Sequence, residues 1–323
     1  MRLARAAKGD VHVVPEAAAG TRLDKWLADA ARLGSRARAL KALTRGQVFL
    51  DDQEIGARDA SRRLLGGERV RLWVDRPGSA RRRGPRRVRD LEILFEDGDV
   101  LVLAKPAGIL TVPLPAQPDA LSLAHLVAAY WRSHGKREAL AVHRLDRDTS
   151  GIVVFARTPR AQAALRAQFA SRTPEREYLA VVHGHPAPDA GTWRTWLRWD
   201  PRALVQRVAL PRARGAQEAI ADYRVVETFA SAALLAVRLA SGRQHQIRVQ
   251  AWQAGHPLVG ERIYTGPPAP EPATTIEFPR QALHGLRLAF DHPRTGERLT
   301  FEWAPPADLR GLIERLRRAR PRH

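Results

Sequence analysis

The stretch His143-Arg144-Leu145-Asp146-Arg147-Asp148-Thr149-Ser150-Gly151 runs directly into the apolar segment IVVFA, ending at Ala156. A short apolar, β-branched run after a polar turn reads as a buried strand, which places Asp146 in the loop at its mouth. A carboxylate held there against a guanidinium stays ionised at neutral pH despite desolvation, so Asp146 is a candidate nucleophile or base. The plainer reading of an Asp-Arg-Asp triplet is a turn tied by acid–base pairs. Asp148, the second acid nearby, is expected to face solvent or Arg147.

Outward from this loop, residues 91–305 alternate short β-like runs with turns. The runs are LEILFEDGDVLVLAKPAG, GIVVFART, REYLAVVHG, QEAIADYRVVETF, SAALLAVRLA, HQIRVQAW and RLTFEWA. Helical periodicity appears only in DALSLAHLVAAYWRSHG and PRAQAALRAQFASR. Many strands with few helices and no regular βαβ order predict an α+β fold with a mixed, mainly antiparallel sheet. Neither a G-x-G-x-x-G fingerprint nor a Walker A sequence occurs. Residues 306–323 read as a basic amphipathic helix with a tail.

On the N-terminal side, residues 1–20 read as an extension and residues 21–75 as a small domain of two helices followed by strands. TRLDKWLADAARLG carries apolar residues at helical spacing, and Ser35 caps a second helix that stops at Gly46. That second helix bears Arg36, Arg38, Lys41 and Arg45. Its ordinary reading is a solvated basic face. Residues 76–90 are rich in Arg, Gly and Pro, without apolar periodicity, and read as an extended linker. Its six arginines, Arg81, Arg82, Arg83, Arg86, Arg87 and Arg89, would meet phosphates wherever the tether meets nucleic acid.

The 323 residues carry 54 Lys plus Arg against 34 Asp plus Glu, a formal charge of +20. An excess of this size speaks for a polyanionic partner. The preference for Arg over Lys is equally well explained by coding bias. With 0 cysteines, disulfides, thiolate zinc sites, iron–sulfur clusters and Cys nucleophiles are excluded. No run approaches the roughly 20 apolar residues of a spanning helix, and the N-terminus lacks a signal-peptide core, so a cytoplasmic protein without membrane contact is expected.

HRLDRDTSG resembles the central motif of the RluA-type pseudouridine synthases, with nine consecutive matching residues. VLAKPAGILTVP resembles the opening motif of that family, REYLAVVHG its Tyr-bearing strand and SGRQHQIRVQ its late motif. GHPLVGERIY and LHGLRLAFDHP complete the order, so that the resemblance spans almost all of residues 91–293. Residues 21–75 resemble, more loosely, the S-four-like domain that many RNA-modifying enzymes use to hold RNA.

The resemblance implies an isomerase that converts uridine in structured RNA to pseudouridine, ribosomal RNA first and transfer RNA second. It implies Asp146 as the catalytic carboxylate, Tyr178 as the aromatic against the target base and Arg248 as the cation paired with Asp146. Arg144 would support the flipped nucleotide, with Lys105, Arg243, His245 and Gln246 on the substrate side. Arg36, Arg38, Lys41 and Arg45 would bind RNA. The chain departs from the family where Ile109 follows the Gly of the opening motif in place of His, where Glu261 follows Gly260 in place of Asp, and where Arg176 replaces Lys. These positions bear on the choice of RNA rather than on the reaction.

The reaction moves the C1′ bond from N1 to C5 of the uracil with no redox change, so no cofactor and no metal are expected, and the protein is expected to act as a monomer. Attack of Asp146 on C1′, addition to C6 and abstraction of a ribose proton all need the same ionised carboxylate. His143, His245 and His284 are read as neither bases nor metal ligands, since no pair has the i, i+4 spacing of a helical zinc site. Two other classes compete. A non-catalytic RNA-binding or ribosome-assembly factor predicts a broken HRLD string, which is intact here. A zinc deaminase needs Cys ligands, and a glycosidase needs two carboxylates in one cleft.

Overall fold

In the computed structural model, which describes residues 9–51, 53–73, 86–88, 91–114, 120–132, 138–269 and 275–319, the chain divides into two units. The small unit takes residues 1–84 with 95–100, and the large one residues 85–94 with 101–323. Among the described residues no helix is long and apolar enough to cross a membrane.

The small unit is a sheet of β1 (Asp10–Val13), β2 (Val48–Leu50), β3 (Gln53–Ile55) and β4 (Arg69–Leu72) in the order β1-β4-β2-β3. Two helices accompany it, α1 (Leu23–Leu27) and α2 (Arg36–Thr44). The segment expected as an N-terminal extension, residues 1–20, contributes a strand to the sheet at Asp10–Val13, because β1 pairs antiparallel with β4 along its whole length; residues 1–8 lie outside the described residues. The expected first helix is cut to five residues. Asp29 captures the amide of Ala31, and the Arg32 side chain donates to the Trp26 carbonyl at 2.6 Å with its guanidinium over the indole, so a side-chain-tied turn replaces the next helical turn.

The second helix forms as its caps dictate: Ser35 Oγ accepts the Arg38 amide at 3.2 Å, and Gly46 ends the segment at φ +65°. Ala39, Ala42 and Leu43 recur at helical spacing and are buried in a core with Leu23, Trp26, Leu27, Val48 and Val70.

The large unit is built on a 12-stranded sheet. Its strands are β5 (Arg86–Val88), β6 (Leu91–Glu96), β7 (Val100–Lys105), β8 (Leu140–Ala141), β9 (Ser150–Ala156) and β10 (Glu175–His183). They continue with β11 (Ala190–Asp200), β12 (Val205–Ala209), β13 (Gln217–Thr228), β14 (Ala232–Leu239), β15 (Leu283–Asp291) and β16 (Arg298–Glu302). The main path is β12-β11-β13-β14-β10-β15-β9-β7-β6-β5, with β16 on β15 and β8 on β9. The pairing of β9 with β15 is parallel, while β11, β13, β14, β10 and β15 pair antiparallel in succession along that path and β16 pairs antiparallel with β15. The fold is α+β with a mixed, mainly antiparallel sheet. Helices α3 (Leu123–Arg132), α4 (Pro159–Ala170), α5 (Gln246–Gln253) and α6 (Ala307–Arg318) complete the unit.

Three expectations are corrected here. HQIRVQAW is helical, not a strand, since α5 spans Gln246–Gln253. Its residues 246–251 are all buried, so protein on every side erases the helical stripe by which such a segment is recognised, and the Ile247-Val249-Ala251 alternation that remains imitates a strand. Tertiary contact supplies what the helix needs: Gln250 Nε2 donates to the carbonyls of Trp193 and Ala219. The long hairpin β11–β12, with its Trp193-Thr195-Leu197-Trp199 alternation, was not among the expected strands. The linker is shorter than expected, because Arg86–Val88 pairs with β6; residues 74–85, 89 and 90, and with them Arg81, Arg82, Arg83 and Arg89, lie outside the described residues, as does the tail from 320.

The terminal helix α6 buries Leu309, Leu312, Ile313 and Leu316 against Val181, Phe229, Leu234 and Val259, while Arg317 reaches Glu227 on its exposed side. The β9–β15 junction is tight. Gly151 lies at φ +149°, a conformation side chains rarely adopt, and a Cβ there would meet the Gly285 backbone at 2.6 Å. Gly285 in turn packs where a Cβ would touch the Tyr178 ring, so the two glycines let three strands converge behind one aromatic side chain.

Candidate active site

The loop 144–149 hangs from the N-terminal end of β9 and is tied on both sides. Thr111 Oγ1 donates to the Leu145 carbonyl at 2.8 Å and accepts the Leu145 amide at 3.0 Å. The Gly108 amide and the Lys105 ammonium both donate to the Arg147 carbonyl, at 3.0 and 2.9 Å. Arg280 donates to the Asp148 carbonyl and Gln281 to Thr149 Oγ1. Arg280 is itself anchored by Asp308 at 2.7 Å. The loop is thus immobilised through its own backbone, which leaves the Asp146 carboxylate free of a structural task.

That carboxylate is 16% exposed and stands where a recess of about 120 Å³ meets a larger cavity of about 840 Å³. Arg248, from the buried helix α5, places Nη1 at 3.4 Å from Asp146 Oδ2. Its main partner is Glu261, which accepts Nε and Nη2 at 2.8 and 2.6 Å. Burial opposes the Arg248 charge, but Glu261 and then Asp146 more than offset this, and its pKa is raised. Burial likewise opposes the Glu261 charge, and Arg248 together with the amides of Ile263 and Arg262 holds its carboxyl below the usual range. Asp146 therefore shares its cation with a buried acid that belongs to the departure noted at Gly260-Glu261.

Tyr178, on β10 beside a register shift, lines the recess and is buried, and burial pushes its phenol up. Arg144 is exposed and lines both cavities. Arg243 lines the recess, with its Nε donating to the Glu218 carbonyl at 3.4 Å. His245, the residue before α5, lines both cavities with Nε2 at 3.9 Å from Asp146 Oδ1.

Two residues expected on the substrate side have their polar atoms taken up by hydrogen bonds within the protein. Lys105 is fully buried, and its Nζ donates to the carbonyls of Pro106, Ile109 and Arg147, joining the opening turn to the Asp146 loop. Burial pushes it down to about 7, against the pull of Asp146 and Asp148, while the three carbonyls favour the ammonium. Gln246 lines the recess but is buried, with Oε1 accepting Ser241 Oγ and the Arg243 amide and Nε2 donating to the Ile220 carbonyl, so its amide also ties the start of α5. Asp148 is half-buried and lines the larger cavity together with Arg147.

In the small unit, Arg38 and Lys41 on α2 and Arg45 at its C-cap lie three and four residues apart, and all three are exposed. Arg36 is directed elsewhere and pairs with Asp24 at 3.2 Å. Thr111, Glu261, Tyr264 and Arg280 were missed by sequence reasoning as site residues. Glu261 and Tyr264 stood in the quoted GHPLVGERIY string, but only the folded chain brings that string beneath Asp146.

His143 and His284 are interior residues. His143 Nε2 accepts the Val154 amide at 3.3 Å, with the ring stacked on Phe169. His284 contacts Ser150 Oγ through Nδ1 and the Trp303 carbonyl through Nε2. Burial pushes His143 down to about 3 and His284 to about 4. Both folded values lie below the ordinary histidine value, so the unfolded chain binds more protons and stability falls as pH drops below about 6.5. Each histidine removes up to about 1.4 kcal/mol per pH unit, as far as the folded values. Urea midpoints measured from pH 7.5 to 5.5, above the range where ordinary carboxylates titrate, are expected to fall steadily below about 6.5; a flat profile would contradict the neutral burial of both rings.

Residues 99–253 match the family described as RNA pseudouridylate synthase. An uncharacterized RNA pseudouridine synthase of Synechocystis sp. is 34% identical over 311 residues, covering 95% of this chain and 93% of that protein. The ribosomal large subunit pseudouridine synthase D of Xanthomonas campestris is 36% identical over 312 residues, covering 94% and 92%. Among solved structures, human RNA pseudouridylate synthase domain containing 4 has a TM-score of 0.57 at 23% identity over 70% of this chain and 92% of its own, which speaks for the fold. Relatives that align along nearly the whole chain, a shared sheet architecture and the motifs gathered around one recess leave a single assignment: the chain belongs to the RluA-type family of RNA pseudouridine synthases.

Proposed function

We propose that the protein isomerises particular uridines of large-subunit ribosomal RNA, with Asp146 as the carboxylate that reacts with the nucleoside. The observation that carries this is the position of Asp146 at the junction of the two cavities, 3.4 Å from Arg248 and in the same recess as Tyr178. The choice of RNA rests on relatives such as the Xanthomonas campestris enzyme, whose name specifies the large ribosomal subunit.

A uridine in a stem must leave it to reach the recess, at a cost of a few kcal/mol. Arg144, exposed at the rim, fills the space the base vacates, and stacking on Tyr178 returns roughly 1–3 kcal/mol. Breaking N1–C1′ and forming C5–C1′ leaves the proton from C5 to be lost and N1 to gain one, so the sum is an isomerisation. It needs no cofactor and no metal. Arg248 sets a cation 3.4 Å from the Asp146 carboxylate, whichever atom of the nucleoside that carboxylate meets, and Arg243 offers a second cation in the recess. Residues 10–72 serve as the S-four-like RNA-holding unit, with Arg38, Lys41 and Arg45 giving sequence-independent phosphate contacts. The reading places the enzyme in the cytoplasm as a monomer.

The test is to map pseudouridine transcriptome-wide in cells with the gene, without it, and with Arg38, Lys41 and Arg45 all changed to Gln. Loss of defined sites in large-subunit RNA without the gene, with reduced occupancy of the same sites in the triple variant, is the expected result. Loss confined to transfer RNA would correct the substrate, and an unchanged map would return the protein to the non-catalytic RNA-binding class.

A further inference from the structure

Beside Asp146 lies a chain of polar groups that the reaction as derived above does not use. The Tyr264 hydroxyl accepts the buried Gln206 backbone amide at 2.9 Å and lies 2.9 Å from His245 Nδ1. A hydroxyl that accepts from an amide has one hydrogen left to give. Among the described residues the acceptor within its reach is His245 Nδ1. A neutral imidazole that accepts at Nδ1 carries its proton on Nε2, and Nε2 faces Asp146 Oδ1 at 3.9 Å.

The ring is held in this attitude by more than one bond. His245 adopts the left-handed φ of +55°, unusual for a side chain-bearing residue, at the step into α5. Its ring meets the edges of Trp199 and Tyr264 at 6.0 and 5.8 Å. Tyr264 in turn packs on Trp252 and under the Arg248 guanidinium. Burial pushes Tyr264 up to about 12, so it keeps its hydrogen, and burial pushes His245 down despite Asp146, so the ring is neutral.

We propose that Tyr264 and His245 are positioning residues: Tyr264 fixes His245 as the Nε2–H tautomer, which grips Oδ1 of Asp146 while Arg248 grips Oδ2. The carboxylate plane is then set from both sides, and a closure of under an ångström when RNA fills the recess completes the second contact. This deepens the proposed function and rests on Asp146 as the reacting group. His245 thereby acts through Asp146 rather than as a contact to the uridine.

The experiment uses the full-length protein labelled with ¹⁵N-histidine, with the His245 ring signals identified by their loss in His245→Gln. Wild type is expected to show Nε2 protonated and Nδ1 as an acceptor; Nδ1 protonation would overturn the proposal without touching the role of Asp146. Tyr264→Phe, which keeps the ring and its packing, is expected to shift His245 towards the other tautomer. Its single-turnover rate on a modified-site RNA should fall roughly tenfold at saturating enzyme, with RNA affinity within about twofold, as expected when a reacting group is misoriented rather than removed. In the His245→Gln background, which has no tautomer to set, adding Tyr264→Phe should cost less than about twofold more. A rate loss of equal size in both backgrounds, or a tautomer shift with an unchanged rate, would overturn the positioning role. Absence of turnover in wild type on every uridine substrate would instead overturn the proposed function and leave the tautomer assignment standing.

Discussion

Asp146→Asn is expected to lower the single-turnover rate of pseudouridine formation by at least about 10³-fold, on the order of 4 kcal/mol of transition-state stabilisation. RNA affinity should stay within a few-fold. The substitution keeps the side chain's shape and removes only its charge. It also leaves the fold intact for a reason visible in the site: the Arg248 guanidinium keeps its two hydrogen bonds to Glu261, so no buried cation is left unpaired. The loop itself is held by Thr111, Lys105 and Arg280 through backbone atoms of Leu145, Arg147 and Asp148. Rates at saturating enzyme, RNA binding and a thermal melt on the same preparation check this. Turnover within about tenfold of wild type would remove Asp146 from the reaction, whatever else the site does.

The second large effect is expected at Arg248, and most of it is not about Asp146. Glu261 has a side chain only 1% exposed, and Arg248→Met strands its charge in the interior. Breaking a buried pair in this way costs about 3–5 kcal/mol, a large share of the 5–15 kcal/mol of an ordinary domain. Arg248→Met combined with Glu261→Gln should recover most of that loss, because Gln keeps an oxygen for the amides of Arg262 and Ile263 while the stranded charge is gone. Neither variant should regain activity, since both lack the cation beside Asp146. Urea unfolding and single-turnover assays of the two variants separate these effects. A double variant no more stable than the single one would mean that Glu261 is not the group Arg248 neutralises.

What could be read without the fold was whatever is local or strictly ordered. Ser35 and Gly46 bound α2 because a cap and a stop are made by neighbouring atoms. The contiguous HRLDRDTSG string, and the order of the motifs around it, identified the family and pointed to Asp146, Tyr178 and Arg248, since such strings survive as text. Periodicity served the half-buried elements, where one face meets water and the other does not. It failed for α5, which is buried on every side, and for α1, where Asp29 and Arg32 outbid the helix for backbone groups that composition cannot weigh.

Tertiary structure alone decided what each polar group is for. Lys105 stands in a motif string near the recess and Gln246 lines it, yet the charge of one is bound to carbonyls and the amide of the other to the start of a helix. Glu261 and Tyr264, over a hundred residues from Asp146 in the chain, sit beneath it and set the charge of Arg248 and the proton of His245. A sequence determines which chemistries a protein carries; which of them face the substrate depends on where burial forces each donor to find its acceptor, and that is a property of the folded chain.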